Sequence, residues 1–335
     1  MRAVVMQGLH RPLTVDTLPD PTPGEGEVVV SVGRCGICGS DLHMTEDPAY
    51  GAGAGTVLGH EFAGEVVALG RGVEGLKLGD RVAVSPLKSC GHCDYCRRGE
   101  VQWCAHFGLQ GGGYAEYATT RPNQCVRLPD SASLDDGAII EPLAVALHGV
   151  NLSGMKAGDR VLVLGAGPIG LAVAFWARRR GARAVVVQDL SLYQQERALA
   201  MGATGYVADR EDPVGAAIRA MGGPADVVFE CVGVPGLIQQ AVAQVANRGR
   251  IVLLGLCTRP DSLNTFAMLQ KEVTLITSAF FLQQEYEAAL DALASGAAEP
   301  RHLVTDTISL DATPDRFEAL RKRTHDCKVL IAPMA

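Results

Sequence analysis

The sequence predicts an α/β protein in two parts, a β-rich unit and a doubly wound parallel sheet. Three observations predict it. Short apolar runs punctuated by glycine and proline fill the first half, as at residues 27–32, 62–69 and 81–84. From about residue 157 the texture changes to strands alternating with helices. A glycine-rich turn, Gly165-Ala166-Gly167-Pro168-Ile169-Gly170, links the first of these strands to the first helix.

Bulk properties agree with this division. A chain of 335 residues exceeds what one hydrophobic core usually supports. With 47% hydrophobic and 20% charged residues, core material is ample and a disordered chain is excluded. The formal net charge of -7 leaves no basic face for nucleic acid as a standing partner. The most apolar stretch, 161–177, is broken by Gly165, Gly167, Pro168 and Gly170. It is also short of the roughly 20 residues of a membrane span, so a buried strand, turn and helix is the reading. The first ten residues carry no secretory leader pattern. Ten cysteines then point to a reducing, cytoplasmic setting, where thiols bind metal or lie buried.

In the second half, strands are expected at 160–164, 184–187, 226–229 and 250–254, and helices at 171–180, 192–201 and 236–246. A helix at 283–294 and a last strand at 328–331 follow. In the glycine turn, Gly165 permits the tight bend, Gly167 lets backbone approach a pyrophosphate, and Gly170 lets helix and strand pack. The helix start at Pro168 and Ile169 is expected to meet the phosphates, with free N–H groups from Ile169 onward because proline has none. Asp189 ends the second strand at the distance expected for a carboxylate on the ribose hydroxyls. It would repel a 2′-phosphate, so NAD is expected over NADP. The alternative is a structural turn with Asp189 as a helix cap.

Cys90, Cys93, Cys96 and Cys104 form C-x2-C-x2-C-x7-C in a polar stretch with little core of its own. Four thiolates at this spacing can enclose zinc and leave no open position, as a structural site requires. A zinc ribbon gripping nucleic acid would use similar cysteines, but the acidic chain counts against it. A second set is dispersed: Cys38, His60 and Glu61, and Glu141. One thiolate, one imidazole and carboxylates suit zinc with a position left for substrate. On the residues alone, Cys35 and Cys38 also read as a redox pair, and His60 as a core histidine.

The order of Gly59-His60-Glu61-Phe62-Ala63-Gly64, the four-cysteine stretch and the glycine turn resembles the zinc-containing medium-chain dehydrogenase/reductase (alcohol dehydrogenase) family. The likeness covers essentially the whole chain and is nearest the sorbitol and threonine dehydrogenase branch, through Gly39-Ser40-Asp41-Leu42-His43 and Glu141-Pro142-Leu143. It implies a GroES-like catalytic domain from residues 1–148 and 282–335, with a Rossmann domain at 149–281. It implies that Cys38 and His60 bind a catalytic zinc, with Glu61 as an exchangeable ligand and Glu141 as a direct or water-linked one. It further implies that Ser40 takes the substrate proton, His43 passes it to solvent, and Asp41 orients the ligand histidine. Lys328 is implied near the cofactor pyrophosphate. Homodimers or homotetramers are implied as well.

The reaction so implied is hydride transfer between a small alcohol or ketone and NAD. Two departures bear on substrate. Met44 stands where sorbitol dehydrogenases carry an aromatic hydroxyl, and Phe281 where they carry an arginine that grips polyol hydroxyls. Both favour an apolar secondary alcohol over a polyol. A zinc-free quinone or enoyl reductase of the same fold is disfavoured by the four-cysteine stretch. A binding protein without turnover is disfavoured by the presence of Cys38, His60 and Ser40.

Overall fold

The computed structural model describes residues 1–322 and 324–335. The chain divides into two units. One is Met1–Glu141 with Leu282–Ala297 and Val304–Ala335; the other is Pro142–Phe281 with Ala298–Leu303. The first is thus built from both parts of the chain that flank the second, and the division falls inside the helix Leu134–Leu152. Among the described residues no helix is long and apolar enough to cross a membrane.

The first unit is organised around the strand Val28–Gly36. Val28, Val30 and Val32 are fully buried, the period-two pattern of a strand with one face on a core. Glu61–Leu69 and Tyr117–Thr120 pair with it antiparallel, and Lys328–Ala332 pairs with its final residues. The main path of the sheet runs Val304–Ser309, Lys328–Ala332, Val28–Gly36, Glu61–Leu69, Arg81–Val84, Cys125–Arg127. Phe62, Val66, Val82, Val84, Tyr114, Phe317 and Ile331 build the core. The register sets Gly36 opposite Glu61 on one side and Leu330 on the other. A Cβ on Gly36 would lie 2.1 Å from Glu61 Oε2 and 3.1 Å from Lys328 Cδ. Glycine is therefore what leaves room for that pair of side chains.

The second unit carries the doubly wound sheet. Its six strands are all parallel, in the order Gly205–Val207, Ala184–Gln188, Arg160–Leu164, Ala225–Glu230, Val245–Leu253, Thr274–Thr277. Val161, Leu162 and Val163 are sealed from solvent, as expected of a strand covered on both faces. The order reverses direction between Arg160–Leu164 and Ala225–Glu230, the kind of switch point beside which such sheets bind ligands.

Two expected elements differ in extent. The helix expected at 192–201 is confined to Gln195–Ala200. Ahead of it, Arg210 donates to Leu190 O at 2.8 Å and Tyr206 Oη to Ser191 O at 2.7 Å, holding the backbone in a loop. The strand expected at 250–254 instead starts at Val245, directly after the helix Leu237–Gln244. Lys271 Nζ donates to the carbonyls of Val242, Ala243 and Val245, ending the helix there.

Candidate active site and metal centres

The glycine turn sits at the carboxyl end of Arg160–Leu164, and Pro168 opens the helix Pro168–Arg179. Gly165 adopts φ +98°, which disfavours any side chain. A Cβ on Gly170 would lie 2.0 Å from Gly165 O, so helix and turn meet backbone to backbone. Gly167 faces open space: a Cβ there would meet no atom within 4 Å. That is a cradle a pyrophosphate fits. Asp189 Oδ2 accepts from Ala166 N at 2.9 Å and Oδ1 from Leu190 N at 2.6 Å, tying the turn to the second strand. Gly170→Ala is expected to lower the melting temperature by the equivalent of about 1–3 kcal/mol and to weaken NAD binding. Thermal melting and fluorescence titration of NADH check both effects.

In the four-cysteine stretch, the sulfurs of Cys90, Cys93, Cys96 and Cys104 lie within 4.8 Å of one another. Cys93 and Cys96 are 3.4 Å apart, Cys90 and Cys96 3.9 Å. Tetrahedral zinc with bonds of about 2.3 Å needs sulfurs about 3.8 Å apart, so the set fits the ion. The backbone N–H groups of Cys90 and His106 point at Cys104 Sγ at 3.4 and 3.3 Å. Backbone N–H groups of His92 and Cys93 pull the Cys90 thiol down to about 6, favouring the thiolate a metal requires.

The dispersed set converges. Ligand atoms of Cys38, His60 and Glu61 lie within 4.8 Å of one another. Cys38 follows the strand Val28–Gly36 and precedes the helix Gly39–Met44, whereas His60 and Glu61 lie where Glu61–Leu69 begins. Asp41, in the first turn of that short helix, is fully buried. Its Oδ2 accepts from Cys38 N at 3.0 Å and from Tyr114 Oη at 2.7 Å, and its Oδ1 faces His60 Nδ1 at 3.3 Å. Burial alone would raise the Asp41 carboxyl, but the adjacent imidazole reverses this and holds it below its ordinary range. Burial would likewise lower His60, yet Asp41 and then Cys38 drive it well above. Glu141, buried on the helix Leu134–Leu152, is not part of the tight group. Burial is the main force pushing its carboxyl up to about 7; His60 opposes and Glu61 adds to the rise. The Glu61 carboxylate, the His60 imidazole and the Cys38 thiol form a donor set that suits a divalent cation.

Lys328 has its charge partner within the first unit. It is 1% exposed, and its Nζ donates to Glu61 Oε2 at 2.6 Å, Glu61 Oε1 at 2.8 Å and Ile37 O at 3.0 Å. A buried ammonium needs a charge partner, and Glu61 supplies one. Ser40 is half-buried, while His43 is exposed and stacks on Tyr50 with ring centroids 5.9 Å apart. Met44 lines a cavity of about 410 Å³ together with Asp41, His60, Leu58, Leu109 and Gln110. Phe281 is fully buried and is not among the cavity-lining residues. Sequence reasoning missed Tyr114 as the partner of Asp41. The neighbouring glycine run, Gly111 to Gly113, was the available signal.

A dinucleotide-type sheet and a unit with an open, mixed ligand cluster together define an NAD-binding oxidoreductase fold with candidate zinc sites. Residues 24–130 match the alcohol dehydrogenase GroES-like domain, and residues 168–295 match the zinc-binding dehydrogenase domain. The sorbitol dehydrogenase of Bacillus subtilis (strain 168) is 33% identical over 99% of this chain and 97% of its own. Among solved structures, a short chain alcohol dehydrogenase (rspB) of Escherichia coli CFT073 complexed with NADH superposes with a TM-score of 0.90. It is 29% identical and covers 99% of both chains. A putative zinc-binding dehydrogenase of Sinorhizobium meliloti 1021 bound to NADP gives 0.87, at 33% identity over 99% of both chains. The chain belongs to the zinc-type medium-chain dehydrogenase/reductase family.

Proposed function

We propose that the chain is a zinc-dependent alcohol dehydrogenase that moves a hydride between a rather apolar secondary alcohol or ketone and NAD. Residues 1–148 and 282–335 form its catalytic domain and 149–281 its NAD-binding domain, and it works as a dimer or tetramer. The observation that carries this reading is the meeting of Cys38, His60 and Glu61 within 4.8 Å, with His60 also on the wall of the cavity that Met44 lines.

Cys38 and His60 would hold the ion, with Glu61 as an exchangeable ligand and Glu141 as a direct or water-linked one. Bound there, zinc would supply Lewis acidity toward the substrate oxygen. Asp41 fixes the orientation of the His60 ring. Lys328 Nζ donates to both oxygens of Glu61, at 2.8 and 2.6 Å, which neutralises the carboxylate beside the other two donors. The Ser40 hydroxyl takes the proton from substrate, and the exposed His43 passes it to solvent. Gly165, Gly167 and Gly170 seat the pyrophosphate, and Asp189 meets the ribose.

Met44 on the cavity wall favours an apolar substrate, because a polyol buried there would leave hydroxyls unpaired at about 1–3 kcal/mol each. The likeness to a sorbitol dehydrogenase favours a polyol as the second reading. A screen of alcohols with NAD, followed by absorbance of the reduced cofactor, decides between them. Simple secondary alcohols should show higher kcat/KM than sorbitol or xylitol; the opposite order overturns the preference. Asp189 predicts NADH used better than NADPH. Arg210, bonded to Leu190 O beside it, and the NADP-bound relative favour the reverse, which the same assay with both cofactors reads.

A further inference from the structure

We propose that Tyr114 is a positioning residue for the zinc ligand His60, acting through Asp41. The inference rests on the metal reading of Cys38, His60 and Glu61 given above. Tyr114 is fully buried in the apolar core of the first unit, where a phenylalanine would fill the same space. Its hydroxyl has a specific use there. It donates to Asp41 Oδ2 at 2.7 Å, an oxygen that also accepts from Cys38 N at 3.0 Å. With that oxygen doubly bonded, the carboxylate is locked, and Oδ1 faces His60 Nδ1 at 3.3 Å. The chain of contacts fixes the plane of the imidazole and leaves its other nitrogen for a metal.

The backbone carries the same coupling. Gly112 N donates to Val57 O and Leu58 O at 3.1 Å, Gly113 N to Gly59 O at 2.9 Å, and Tyr114 N to Leu58 O at 3.1 Å. The segment bearing the tyrosine therefore holds the three residues that lead into His60. The approach is close. A Cβ on Gly59, at φ +86°, would lie 2.3 Å from Tyr114 Cδ1. One on Gly113 would lie 2.5 Å from Cys35 Sγ, and one on Gly111 2.8 Å from Val57 O. The glycine run thus lets two backbones touch, and Tyr114 extends that contact to the ligand's carboxylate.

Tyr114→Phe, compared with wild type by zinc release to a chromogenic chelator, tests the proposal. Wild type should release about two ions per chain in separable phases. Tyr114→Phe should release one of them about 10-fold faster or more, with the other phase unchanged. Adding Tyr114→Phe to Asp41→Asn should speed release no further than Asp41→Asn alone, because the hydroxyl acts through that carboxylate. Release at the wild-type rate, equal acceleration of both ions, or multiplying effects in the double variant would overturn the proposal. A wild-type protein holding one ion would instead remove the metal reading itself, and this proposal with it.

Discussion

Cys38→Ser is expected to cut bound zinc from about two ions per chain to about one and to abolish most turnover. The sulfur is one of three donors drawn together at the end of Val28–Gly36. A serine hydroxyl is a poor replacement for thiolate toward zinc. Loss of the ion removes several kcal/mol of transition-state stabilisation, so kcat/KM should fall by about 10³-fold or more. The fold should survive, because Cys38 is half-buried and lies outside the apolar core. Elemental analysis, circular dichroism and steady-state kinetics on one preparation read all three outcomes. Undiminished activity with one ion lost would mean that this cluster is not where the chemistry happens.

Cys90→Ser should have the opposite profile. The stretch from Cys90 to Cys104 contains a four-residue helix and one three-residue 3₁₀ turn, and Tyr95 and Trp103 are exposed. It has little apolar core, so a bound ion would be what orders it. Structural zinc contributes about 10–16 kcal/mol in small zinc-folded peptides, far more than this segment could recover by packing. Limited proteolysis should cut the variant between residues 90 and 104 while wild type resists. The ion at Cys38 should be retained. A variant that keeps both ions and resists protease would show the four sulfurs to be incidental neighbours.

The two sites were legible in the sequence to different degrees. The four cysteines were readable as a set because 15 consecutive residues contain all of them, and local spacing alone can place four sulfurs around an ion. The glycine turn was readable for a similar reason: Gly165 and Gly170 answer steric demands that arise within one strand–turn–helix unit. The dispersed cluster was not. Cys38 and His60 are brought together by strand pairing, Gly36 opposite Glu61, that no spacing rule states. There the family resemblance supplied what the residues alone left open between a metal ligand, a redox pair and a core histidine.

By itself, the sequence determined the class of fold, the glycine turn and the four-cysteine set, because each depends on contacts between near neighbours or on hydrophobic period. Tertiary structure alone decided that Lys328 pairs with Glu61, that Tyr114 holds Asp41, and that Arg210 reaches Leu190. These are contacts between residues 20 to 267 positions apart, which spacing along the chain does not set. Buried charge explains the first: once Lys328–Ala332 pairs beside Val28–Gly36, the ammonium must find a carboxylate, and Glu61 lies across Gly36 on the next strand.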